Sequence, residues 1–138
     1  MKPVYKIYPI GIIRKNDDQD VRIEIDDAYT DALLGVDGFS HLIASYWFHE
    51  NDTPEKRKIL QIHPRKDKNN PLTGVFGTHS PMRPNLIAIS CCRKLSIQGN
   101  IIFIDQIDAL DGSPLIDIKP YIPVDKLMSG DIKVPDWV

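Results

Sequence analysis

Apolar residues recur along this chain in short bursts, often at two-residue spacing. Val21-Arg22-Ile23-Glu24-Ile25 alternates apolar and polar, as a half-buried strand should. Val4 to Ile13 mixes β-branched, aromatic and polar residues and predicts another strand. His41 to Phe48 (HLIASYWF) is a longer apolar run rich in aromatics, and Ile59 to Ile62 is a shorter one. Leu86 to Cys92 and Lys94 to Ile97 follow. Gly99-Asn100 then suits a tight hairpin turn before Ile101 to Ile104, and Leu115 to Ile118 reads as a last short strand. One helix is predicted, Asp26 to Leu34, opened by acidic residues and closed by Gly35. Turns around Pro81, Pro84 and Gly112-Ser113-Pro114 rule out long helices there. Short strands with one or two short helices predict a mainly-β barrel or sandwich.

The length, 138 residues, suits one domain over positions 1–138. An irregular arm is expected from about Asp125, packed on its own barrel or on a partner subunit. No apolar run approaches the ~20 residues that span a bilayer, and the first residues lack a signal-peptide pattern, so a cytoplasmic location is expected. Net charge is −2, which gives no global attraction to nucleic acid. Two local basic clusters, Lys56-Arg57-Lys58 and Arg65-Lys66-Asp67-Lys68, read as solvated loop surface or as a patch for a polyanion. Cys91 and Cys92, the only cysteines, point to opposite faces of a strand and are not expected to bridge.

No dinucleotide fingerprint, Walker loop or HExxH is present. The four histidines lack metal-ligand spacing, and Asp105, Asp108 and Asp111 do not form a calcium loop, so no metal is expected. Two stretches carry more. In THSPMRPN, Pro81 and Pro84 hold His79, Arg83 and Asn85 in fixed directions, which suits a binding site. In DGSPLIDIKPY, strand periodicity puts Asp117, Lys119 and Tyr121 on one face, with Ile116 and Ile118 toward the core. That polar face reads either as a salt-bridged surface or as the wall of a pocket.

At these two stretches the sequence resembles the TsaA-like family, also called YaeB or TrmO. The family pattern GVFATRSPxRPNPIGLS reads GVFGTHSPMRPNLIAIS here, and DGTPVLDIKPY reads DGSPLIDIKPY. Ile10 to Arg14 is similar to the family opening IGxIxS, and Gly38 to Leu42 with Trp47 to Glu50 is similar to GFSHLWVLYWFH. His79 stands where the family has Arg, and the segment Lys15 to Asp20 is short and acidic where tRNA-methylating members carry an APRQ-like loop. The resemblance implies a small closed or nearly closed β-barrel, a homodimer, and S-adenosylmethionine as cofactor. It also implies methyl transfer to N6 of threonylcarbamoyl-adenosine beside the tRNA anticodon. By position it implies cofactor contacts from His49, Glu50, His79, Arg83, Asn85, Ile89, Asp108, Ala109, Leu110 and Asp111. Asp117 and Tyr121 would orient the acceptor amine, and Lys119 would touch substrate. The alternative is a non-catalytic or small-molecule-directed protein that binds S-adenosylmethionine.

Overall fold

In a computed structural model, which describes residues 1–16, 20–123 and 132–138, eight strands form. They are β1 (Gly11–Lys15), β2 (Val21–Ile25), β3 (His41–Trp47), β4 (Gln61–Ile62), β5 (Thr73–Gly74), β6 (Ile87–Gln98), β7 (Ile101–Ile104) and β8 (Pro114–Pro120). A four-residue helix, α1 (Pro54–Arg57), and several single 3₁₀ turns complete them. The chain divides into two compact units. Met1–His49 with Ile87–Tyr121 forms the first, and Glu50–Leu86 with Ile122–Val138 forms the second.

The first unit is an antiparallel barrel in the order β1-β2-β7-β6-β3-β8. It closes where β1 meets β8 through the pairs Gly11–Leu115 and Ile12–Pro114. Two backbone bonds lock this seam, from Ile10 N–H to the Leu115 carbonyl (2.8 Å) and from Ile13 N–H to the Ser113 carbonyl (2.9 Å). Position 11 takes glycine because β2 crosses close to it there: a Cβ would sit inside contact distance of the Glu24 carbonyl oxygen. Alternation fills the interior: Ile13, Ile23, Leu42, Ile102 and Leu115 are fully buried, with Ala44, Tyr46, Cys92 and Ile104 around them. Cys91 is exposed and Cys92 buried, both as free thiols, as opposite strand faces require.

Several expected elements change on folding. The strand predicted over Val4 to Ile13 starts only at Gly11, because Pro3 and Pro9 interrupt the amides a ladder needs. Leu86 to Cys92 and Lys94 to Ile97 merge into the single strand β6, with a bulge between Lys94 and Ser96 at the point where its partner changes from β3 to β7. The helix predicted over Asp26 to Leu34 is a run of 3₁₀ turns, Asp27–Leu33, whose N-cap Asp26 makes no side-chain cap bond. Of the arm expected from about Asp125, positions 125–131 lie outside the described residues, and Ile132–Val138 contains a turn but no strand or helix. Among the described residues no helix is long and apolar enough to cross a membrane.

Candidate functional site

The predicted residues fall in both units. In the barrel, Asp108 to Asp111 lie on the loop that joins β7 to β8. Ile107 and Ala109 turn inward and are buried, while Asp108, Leu110 and Asp111 are exposed. Lys15 fixes this loop. Its Nζ donates to the carbonyls of Ile107 (2.8 Å) and Ala109 (2.9 Å), and its backbone N–H donates to Asp111 Oδ1 (2.9 Å). Gly112 follows at φ +83°, a left-handed conformation that favours glycine, and its N–H reaches the Ile13 carbonyl at 2.8 Å. The buried Ser113 donates its hydroxyl to the Leu110 carbonyl at 2.7 Å. The loop therefore offers Asp108 and Leu110 outward from a pinned backbone. One carboxylate oxygen of Asp111 is already committed to structure.

Sequence reasoning missed Lys15. Strand parity held the signal. Gly11 and Ile13 face the core, so Lys15 shares their side, and an inward cation at a strand end needs oxygen partners.

Across β6, β3 and β8, register puts Ile89, Ser45 and Asp117 in one row. Ile89 is exposed and Asp117 is partly so. Asp117, Lys119 and Tyr121 do share a face, as expected. Lys119 Nζ lies 3.2 Å from Asp117 Oδ2, and Asp117 Oδ1 accepts the Ile118 N–H at 2.9 Å. Tyr121 packs edge-on against the His41 ring, with centroids 6.4 Å apart. The inward assignment of Ile116 does not hold. A bulge between Ser45 and Tyr46 brings Leu115 opposite Tyr46 and Asp117 opposite Ser45, so Leu115 is the fully buried residue. Asp117 also edges an apolar cavity of about 430 Å³ lined by Tyr29, Leu33, Phe39, Leu42 and Ile118 among others.

Inside the barrel, the Tyr46 hydroxyl meets Ser90 Oγ at 2.8 Å. Burial pushes its phenol pKa up, the Ser90 bond opposes this, and Asp108 adds to the rise. His49, just past β3, has a buried Nδ1 with no hydrogen-bond partner among the described residues. Such an orphan nitrogen is costly unless a ligand or water meets it.

The second unit holds Glu50, His79, Arg83 and Asn85. Its proline turn is braced from within. Arg83 Nη1 donates to the carbonyls of Thr78 (3.1 Å) and Ser80 (3.0 Å), and the Met82 N–H donates to Ser80 Oγ at 3.1 Å. Arg57 Nε donates to the Pro84 carbonyl at 2.9 Å. Arg83 thus serves as an internal staple through this nitrogen. His79 and Asn85 are exposed, and Glu50 is exposed with its carbonyl accepting Lys56 Nζ at 3.2 Å.

Residues 12–126 match the family model described as the tRNA-methyltransferase O N-terminal domain. The chain is 47% identical over 116 residues to a probable S-adenosyl-L-methionine-binding protein of Methanocaldococcus jannaschii, covering 84% of this chain and 91% of that one. It is 37% identical over 91 residues to a tRNA (adenine(37)-N6)-methyltransferase of Mus musculus, covering 66% of this chain and 20% of the mouse protein. The crystal structure of TrmO from P. aeruginosa superposes with a TM-score of 0.74 at 25% identity, over 99% of this chain and 63% of that longer one.

Proposed function

The chain belongs to the tRNA-methyltransferase O family, and on that premise we propose that it transfers a methyl group from S-adenosylmethionine to tRNA. The acceptor in this reading is N6 of threonylcarbamoyl-adenosine beside the anticodon, and the reaction takes place in the cytoplasm. The observation that carries the reading is the family match over residues 12–126, which contains both signature stretches.

The residues present fit the cofactor. His49 Nδ1 is a buried polar atom that lacks a partner among the described residues, and Leu110 and Ile89 are exposed apolar side chains suited to an adenine face. A sulfonium supplies an already activated methyl group, so the protein contributes alignment more than acid–base chemistry. In the barrel unit, Asp108 would take ribose hydroxyls or the ammonium, and His49 would hold the carboxylate; in the second unit, Glu50 and His79 are cofactor contacts by the family resemblance. Asn85 would add an amide contact. Arg83 would act by fixing the turn that carries them. Asp117 and Tyr121 would orient the acceptor amine, with Lys119 against the substrate. A homodimer is part of the proposal. Exposed Val4, Tyr5 and Tyr8 are apolar surface that a second copy would cover, and light scattering at micromolar concentration should return twice the chain mass.

A second reading, a binding protein without transferase activity, gains support from the ion pair that Asp117 makes with Lys119. Titration calorimetry with S-adenosylmethionine, followed by labelled-methyl transfer to bulk tRNA, separates the two. Binding with transfer supports the enzyme, and binding without transfer supports the second reading. Absence of binding removes both.

A further inference from the structure

We propose that the loop Pro64–Asn70 grips the phosphate backbone of the RNA substrate, a role that rests on the tRNA reading above. Two successive residues there, Arg65 and Lys66, both have φ +58°. Neither is glycine, so this left-handed pair is unfavourable and must be imposed by its surroundings. The surroundings do impose it. Pro64 is fully buried. Its carbonyl accepts the Asp67 N–H (3.2 Å) and Asn70 Nδ2 (2.9 Å), and His63 Nδ1 lies 2.8 Å from the Asn70 carbonyl oxygen.

What the strain achieves is presentation. Arg65, Lys66 and Lys68 are all exposed, and their side chains meet no partner among the described residues. The one acid in the loop, Asp67, turns Oδ1 onto the Asn69 N–H at 2.9 Å. Two of the three cations in the neighbouring basic cluster are spent differently, and Lys58 is exposed like those of the loop. Arg57 pairs with Asp52 and the Pro84 carbonyl, and Lys56 with the Glu50 carbonyl. Net charge is −2, so attraction to a polyanion has to be local, and a clamped loop with three uncommitted cations is a local source.

The test compares the 138-residue chain with two variants, Arg65→Gly/Lys66→Gly and Arg65→Gln/Lys66→Gln/Lys68→Gln. Glycine accepts the left-handed backbone, so the first variant should melt at or above the parent temperature while losing charge. tRNA binding is followed by fluorescence anisotropy from low to moderate salt, and S-adenosylmethionine binding by calorimetry. The triple variant should bind tRNA roughly 10–100-fold more weakly near 0.1 M salt, with a slope of log K against log salt shallower by about 2–3. Cofactor affinity should not move. If the parent binds tRNA and both variants match it in affinity and slope, the loop proposal is wrong while the tRNA reading stands. If the parent binds no tRNA, both fall together. Loss of affinity for poly-glutamate with none for tRNA would assign the loop to an acidic protein partner and overturn the proposal.

Discussion

Replacing Lys15 by methionine keeps the aliphatic stem and removes the ammonium that ties the β7–β8 loop to β1. Two bonds disappear, 2.8 Å to the Ile107 carbonyl and 2.9 Å to the Ala109 carbonyl. Bonds from a charged donor contribute about 1.5–3 kcal/mol each. Lys15 is only partly buried, so the low end applies and the pair is worth about 3 kcal/mol. If that free energy holds the loop closed, local opening becomes roughly 100-fold more frequent. The amides of Gly112 and Ser113, bonded to the Ile13 and Leu110 carbonyls, report on it by hydrogen exchange. Their protection should drop by about two orders of magnitude. Affinity for S-adenosylmethionine should fall with it, because Asp108 and Leu110 are no longer held in place. Lys15→Arg should recover part of both. Unchanged protection together with unchanged affinity in Lys15→Met would refute the reasoning.

Other outcomes follow from the barrel. Gly11→Ala pushes a methyl group against the Glu24 carbonyl of the neighbouring β2 and should cost about 3 kcal/mol or more, read as a large fall in urea midpoint. Tyr46→Phe leaves Ser90 Oγ without its 2.8 Å partner and should cost about 1–2 kcal/mol, most of which Ser90→Ala in the same chain should not add to. A thiol reagent should label Cys91 quickly and Cys92 only on unfolding, and Cys91→Ser should abolish the fast phase. Burial first, then the charges of Asp105 and Cys91, push the Cys92 thiol up to about 11 from 9.0. The native state therefore keeps a proton that the unfolded chain releases, so stability should decline as pH rises from 9 toward 11. Urea midpoints at pH 8 and pH 10 should show a smaller decline for Cys92→Ala than for the parent.

Where alternation is clean or a turn marks the strand start, the sequence was readable. Val21–Ile25 and Ile101–Ile104 have the predicted bounds, and Gly99 takes φ +62° in the turn expected of it. The bulges were not readable, since each depends on a partner strand remote in sequence. Asp105 shows why. Its Oδ1 accepts the Arg93 and Gln106 N–H groups beside the irregular stretch of β6, and those bonds hold its carboxyl below the usual range. Proline placement singled out His79, Arg83 and Asn85, strand spacing singled out Asp117, Lys119 and Tyr121, and the family resemblance added the rest. Their division of labour was hidden, because Arg83 turns inward on its own loop and Asp111 supports Lys15, contacts that only folding creates. The backbone conformation at Arg65 and Lys66 left no trace in composition, which showed only a basic cluster.

The most direct measurement is nucleoside mass spectrometry of tRNA incubated with the protein and S-adenosylmethionine. Threonylcarbamoyl-adenosine should be converted to a species heavier by one methyl group, and tRNA lacking this nucleoside should gain none. A complete reaction in which that nucleoside keeps its mass, with cofactor bound and tRNA present, would contradict the proposed transfer.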